Sequence, residues 1–170
     1  MHAELLILRI IHILGGIFWV GSALFMAVFL FPALGSAGPA AGQVMAGLQR
    51  RKIFIVLPAI ALLTILSGTR LMQVVSDGFS PEYFRSGSGR AFAWGGVIAI
   101  AALLFGLLVS RPIGMRLGRL DATPVPDDAE ALQRRNAERE GLQRKAMLTG
   151  MFNLVLIVLA AVAMSVARYL

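Results

Sequence analysis

The sequence predicts an all-α fold, an antiparallel four-helix transmembrane bundle, and three observations carry that prediction. Of its 170 residues 58% are hydrophobic, with a mean hydropathy of +0.78, whereas soluble domains run at ~45–50% apolar. Four stretches, residues 5–31, 53–75, 91–110 and 147–167, reach or approach the ~20 apolar residues that cross a hydrocarbon core. Basic residues gather in two of the connections between these stretches. The alternating ten-residue strands of an outer-membrane barrel are absent from the pattern.

The elements follow in order. The first span opens with Met1, His2, Ala3 and Glu4, which supply no Lys or Arg, and its apolar run is longer than a leader's central region; it is expected to be a permanent transmembrane helix. The connection 32–52 is rich in Gly, Ala and Ser and is expected to lead into a short helix before Arg50. The second span carries Pro58, an expected kink that a bundle can accommodate. The connection 76–90 places Phe79, Tyr83 and Phe84 where an interfacial aromatic belt belongs. After the third span, Pro124 and Pro126 interrupt the chain, and Asp127 or Asp128 can cap a helix running into the fourth span. Glu130 with Arg134, and Glu140 with Arg144, are i,i+4 pairs on that helix. The chain reads as one transmembrane domain over residues 1–170, and no internal repeat is evident.

The charges set the orientation. Connections 32–52 and 111–146 hold eleven of the sixteen basic residues, and the positive-inside rule places both in the cytoplasm, with both termini on the periplasmic side. Arg is the dominant base and Ala and Gly are abundant, a usage typical of GC-rich bacterial genomes. The expected location is therefore the bacterial inner membrane, with the lipid bilayer as the first partner. The net charge of +7 arises from bases flanking the spans, so no nucleic-acid surface is expected. Cysteine is absent, which excludes disulfides, thiolate metal sites and thiol redox chemistry. No span contains Asp or Glu, and no glycine-rich phosphate loop or nucleophile–base arrangement is present, so the pattern does not point to an enzyme.

The most informative residue is His12, the one histidine inside a span. An ionisable group at bilayer depth is costly and marks a functional site by default. On a helix it shares a face with Gly15, Gly16, Trp19, Ser22, Ala23 and Met26. That stripe is expected to face the bundle, since small residues allow close helix approach. Arg9 lies one turn further out. The second span offers a small polar stripe, Thr64, Ser67 and Gly68, ending at Arg70, and the third opens with Arg90 and Trp94. By the expected topology Arg9, His12, Arg70, Arg90 and Trp94 gather in the outer half of the bundle. There a neutral imidazole could ligate haem iron or copper, and the arginines could pair with propionates. The alternative is that the arginines reach the headgroups and that His12 bonds Ser67 or a backbone carbonyl across a helix interface. A second axial ligand could come only from His2, or from Met72 or Met164.

The run Leu8-Arg9-Ile10-Ile11-His12-Ile13-Leu14-Gly15-Gly16-Ile17-Phe18-Trp19-Val20-Gly21 resembles the opening helix of CopD-like small bacterial membrane proteins, with its histidine, small pair, Trp and Gly. The segments Arg111–Leu117 and Asn153–Leu170 look similar too. The resemblance implies a four-helix membrane domain associated with copper handling or with haem b, and the family's histidine maps onto His12 alone. Two classes of function are therefore expected: a CopD-like protein holding haem b, or less readily copper, through His12; or a non-catalytic subunit packed against a larger respiratory or photosynthetic membrane complex, or against copies of itself.

Overall fold

Backbone polar groups find no water in hydrocarbon, so apolar runs of this length close their hydrogen bonds internally as helix. The computed structural model describes residues 2–37 and 40–170. Met1, Gly38 and Pro39 lie outside the described residues, and with Gly38 and Pro39 goes part of the small-residue connection. The helices are α1 (His2–Ser36), α2 (Ala40–Arg50), α3 (Ile53–Val75), α4 (Pro81–Arg85), α5 (Gly87–Ala122) and α6 (Ala129–Val166), the last closing in a 3₁₀ turn, Ala167–Tyr169. No strand occurs among the described residues. Helices α1, α3, α5 and α6 are each long and apolar enough to cross a membrane, the make-up of a multi-pass membrane protein.

Helices α1, α5 and α6 overrun the expected spans, whereas α3 coincides with the second, 53–75. α6 has 38 residues, about 57 Å at ~1.5 Å per residue, against a hydrocarbon core of ~30 Å. Its first half is the charged segment foreseen as a capped helix, and Asp128 is the cap, its side chain accepting from the Ala131 N–H at 2.8 Å. Glu130 pairs with Arg134 one turn on. The tail of α5 lies alongside: Arg116 pairs with Glu138 and Arg139 with Asp121, both at 2.7 Å. Arg135 donates to the carbonyls of Leu120 at 3.0 Å and Thr123 at 2.9 Å.

Packing is pairwise. α1 lies along α3 and α5 along α6, while α3 touches α5 and α1 touches α6 more sparingly. Within the apolar stretches the buried positions are mostly small: Ala61, Thr64 and Ser67 on α3, Gly95, Ala99 and Ala102 on α5, Ala160 beside Ile157 on α6, with Leu142 buried in the charged half of α6. Without a hydrophobic drive between helices in lipid, such close backbone approach supplies the van der Waals contact that holds them. The stripe His12, Gly15, Gly16, Trp19, Ser22, Ala23, Met26 is half-buried along its whole length. Ile13, Leu14, Ile17, Phe18, Leu24, Phe25 and Val28 on the other side of α1 are exposed. Pro58 lies inside an unbroken α3.

In two places the α-helical ladder widens to a π-turn, Met26–Leu30 in α1 and Gly106–Ser110 in α5. Each stands just ahead of a proline, Pro32 and Pro112. At the opposite end of the bundle Ser80 caps the short α4 and Ser86 caps α5. Phe79, Phe84 and Tyr83 pack on one another there, and burial pushes the Tyr83 phenol up from its usual value.

Candidate functional site around His12

The stripe on α1 brings His12 onto α3 at the small polar positions. The Nδ1–H of His12 donates to the Thr64 carbonyl at 2.8 Å. The ring lies against the Gly68 backbone so closely that a Cβ there would stand 2.5 Å from His12 Cε1 and 2.8 Å from Nδ1. One turn along α1, a Cβ on Gly15 would collide with Thr64 Oγ1. Thr64 and Ser67 turn their hydroxyls back to their own helix: Thr64 donates to the Ile60 carbonyl at 2.8 Å, and Ser67 to Leu63 at 2.8 Å and Thr64 at 3.0 Å. Such back-bonding satisfies a hydroxyl inside a helix without a partner from outside. Of these three side chains only the histidine therefore reaches the facing helix, and its acceptor is the backbone carbonyl rather than the Ser67 side chain. In the neutral ring this leaves the lone pair on Nε2.

The outer arginines divide. Arg70 is held by Glu4, its Nε at 2.9 Å and Nη2 at 2.7 Å from Oε1, and its Nη1 donates to Gln73 at 3.0 Å. The pair closes the end of the α1–α3 interface, about two turns of α1 beyond His12. Sequence reasoning singled out Arg70 and missed its partner, although Glu4 is the only acid before Asp77. Arg9 is exposed and lines a shallow groove of about 350 Å³ with Leu6, Ile10, Ile13 and Leu14, on the side of α1 away from His12. Arg90 and Trp94 stand on α5, which packs on α3 and α6 rather than along α1. Trp94 is 65% exposed, because the buried face of α5 runs through Gly95, Ala99 and Ala102 and Trp94 is a residue off it. Among the described residues neither Arg90 nor Trp94 shares a hydrogen bond or ion pair with His12, Arg9 or Arg70.

The donor set is thin for a metal. Among the described residues no group of three His, Cys, Asp or Glu side chains converges. The methionines considered as axial ligands pack on glycines of α5 instead. Met164 Cγ lies 3.0 Å from where a Gly95 Cβ would stand, and Met72 Cε lies 4.0 Å from that of Gly96. The nitrogen that the Thr64 bond leaves over at this seat is Nε2 of His12, and His2, ten residues away on the same helix, stands about 15 Å along its axis.

A second polar cluster lies toward the other end, between α5 and α6. Asn153 Nδ2 stands 3.3 Å from where a Gly106 Cβ would be, and the buried Oδ1 of Asn153 and Oγ of Ser110 find no hydrogen-bond partner. No family model, curated protein or solved structure matches the chain.

Proposed function

We propose that this is a small subunit of the bacterial inner membrane, an antiparallel four-helix bundle with both termini on the periplasmic side. It works by packing against a further membrane protein, or a second copy of itself, and not by chemistry of its own. The observation that supports this best is the use made of His12. Its Nδ1–H is engaged with the Thr64 carbonyl and its ring is seated on Gly68, so the one histidine inside an expected span acts as a pin between α1 and α3. The contact order Glu4–Arg70, His12–Gly68, Gly15–Thr64 supports opposite running of these two helices, and the bases at 50–52 and 111–145 support the orientation. The test is to titrate the purified protein with haemin and, separately, with Cu(I), and to measure its native mass in mild detergent. The expected result is no stoichiometric binding of either, and a mass above that of one 18.2 kDa chain. A Soret band that His12→Ala abolishes would overturn the reading.

One observation favours a second reading, that of a CopD-like protein. A histidine whose Nδ1–H is bonded to a carbonyl and whose Nε2 is free has the arrangement that orients metal-ligating imidazoles. In that reading His12 supplies one ligand to haem b, or to copper, and a partner subunit supplies the remainder.

A further inference from the structure

The two longest apolar helices before α6 carry the same marks in the same register. Gly15-Gly16 of α1 corresponds to Gly95-Gly96 of α5, Leu24-Phe25 to Leu104-Phe105, and Pro32 to Pro112, every pair separated by the same interval. The π-turns obey it too, Met26–Leu30 and Gly106–Ser110. The packing repeats with them. Gly15 receives Thr64 of α3, the apolar helix that follows it, and Gly95 receives Ala160 and Met164 of α6, the helix that follows it. The two lesser contacts, α3 with α5 and α1 with α6, exchange with one another when the halves are swapped. This is the pattern of a pseudo-two-fold axis running along the helices, as in parallel membrane repeats.

The shared π-turn has a local cause. A proline lacks its N–H, and its ring collides with the carbonyl four residues back. The widened turn relieves that collision, closing Phe31 N–H to Met26 O and Arg111 N–H to Gly106 O. Kinks at prolines and π-turns are where long helices bend. On one side of each hinge stands the glycine contact, where no Cβ fits at Gly15 and where Gly95 is tight against Met164. On the other side stand Phe31–Ser36 and Arg111–Ala122, with no buried residue.

We propose that the chain is a duplicated helical hairpin, and that each π-turn with its proline is one of a matched pair of hinges. About these hinges the tails Phe31–Ser36 and Arg111–Ala122 swing against the glycine-clamped halves. The two tails differ in restraint. Phe31–Ser36 contains no charged residue, whereas Arg111–Ala122 is latched to α6 by Arg116–Glu138 and Asp121–Arg139. Release of the latch uncovers the end of the α5–α6 interface where Ser110 Oγ and Asn153 Oδ1 lack partners. The proposal stands apart from any role of His12 as a ligand.

The absence of cysteine makes the test direct in the full chain. Spin labels are placed across each hinge at equivalent exposed positions, Ile17→Cys with Gly35→Cys and Val97→Cys with Met115→Cys. Gln133→Cys with Met151→Cys on the unbroken α6 serves as the reference. Each pair spans ~27 Å along a straight helix. The expected result is a distance distribution about twice as broad across the first hinge as in α6. The second hinge should be intermediate and should broaden to match the first in Arg116→Gln/Arg139→Gln. Pro32→Ala should narrow only the first pair and Pro112→Ala only the second, each to the α6 width, with the α6 pair unchanged as the check on folding. Hinge pairs as narrow as α6, or breadth that survives both proline replacements, would overturn the hinges. A response confined to one hinge would overturn the matched pair.

Discussion

The pair of α1 with α3 and the pair of α5 with α6 bind their helices by different chemistry. In the first, the interface is polar at its centre: His12 reaches the Thr64 carbonyl, and Glu4 holds Arg70 at its end. In the second, the corresponding level is apolar, Gly95 lying beneath Met164 with Ala160 and Ala163 beside it. Its polar contacts lie at the far end, in the ion pairs of the charged tails. The lesson is about tolerance. A ring seated on a glycine backbone has nowhere to go, whereas a methionine is flexible and can refill the space around an added methyl.

Replacing the seat should therefore break the comparison most sharply. Gly68→Ala is expected to lower stability in detergent by about 1–3 kcal/mol, the range for overpacking, and Gly95→Ala by less than half as much, as read by reversible unfolding. Equal losses would mean that the two interfaces are equally rigid. Next in size, His12→Ala should cost about 1 kcal/mol, within the range found for hydrogen bonds between membrane helices. In that background Gly68→Ala should lose most of its effect, a coupling that a double-mutant cycle measures; additive effects would show that ring and glycine do not meet.

In the second hairpin Asn153→Leu removes a buried oxygen that has no partner. Relief of an unsatisfied group is neutral or favourable, so stability is expected to hold or rise by a few tenths of a kcal/mol. A clear loss would show that Asn153 is engaged by something that binds there. The remaining comparison belongs to the surface pairs. Glu4→Gln and Glu138→Gln should each cost under ~1 kcal/mol, and the cost at Glu138 should fade as salt rises. A cost at Glu4 that persists in high salt would mark the first pair as shielded and the two ends as different environments.

Much of α1 was legible because its face repeats with the helical period. His12, Gly15, Gly16, Trp19, Ser22, Ala23 and Met26 are half-buried as that period requires. The Asp128 cap and the short α2 were legible from composition and capping chemistry. The grouping of Arg90 and Trp94 with His12 rested on depth in the membrane alone. Depth says nothing of which way a residue faces around its helix, and Trp94 faces outward. The acceptor for His12 left no trace in the sequence, since every residue carries a carbonyl. The repeat was readable in principle from Gly-Gly, Leu-Phe and Pro at one interval, but five identities in apolar helices stand out only when π-turns and packing obey the same spacing.

By itself, the sequence determined that four helices long and apolar enough to cross a membrane would form, and which face of α1 turns inward. Helical period and the cost of unpaired backbone groups in lipid decide those matters locally. The tertiary structure decided that His12 serves α3 and that Arg70 belongs to Glu4. Those facts depend on which helix lies beside which, and between apolar helices that choice is made by the close fit of small residues, which no single helix contains.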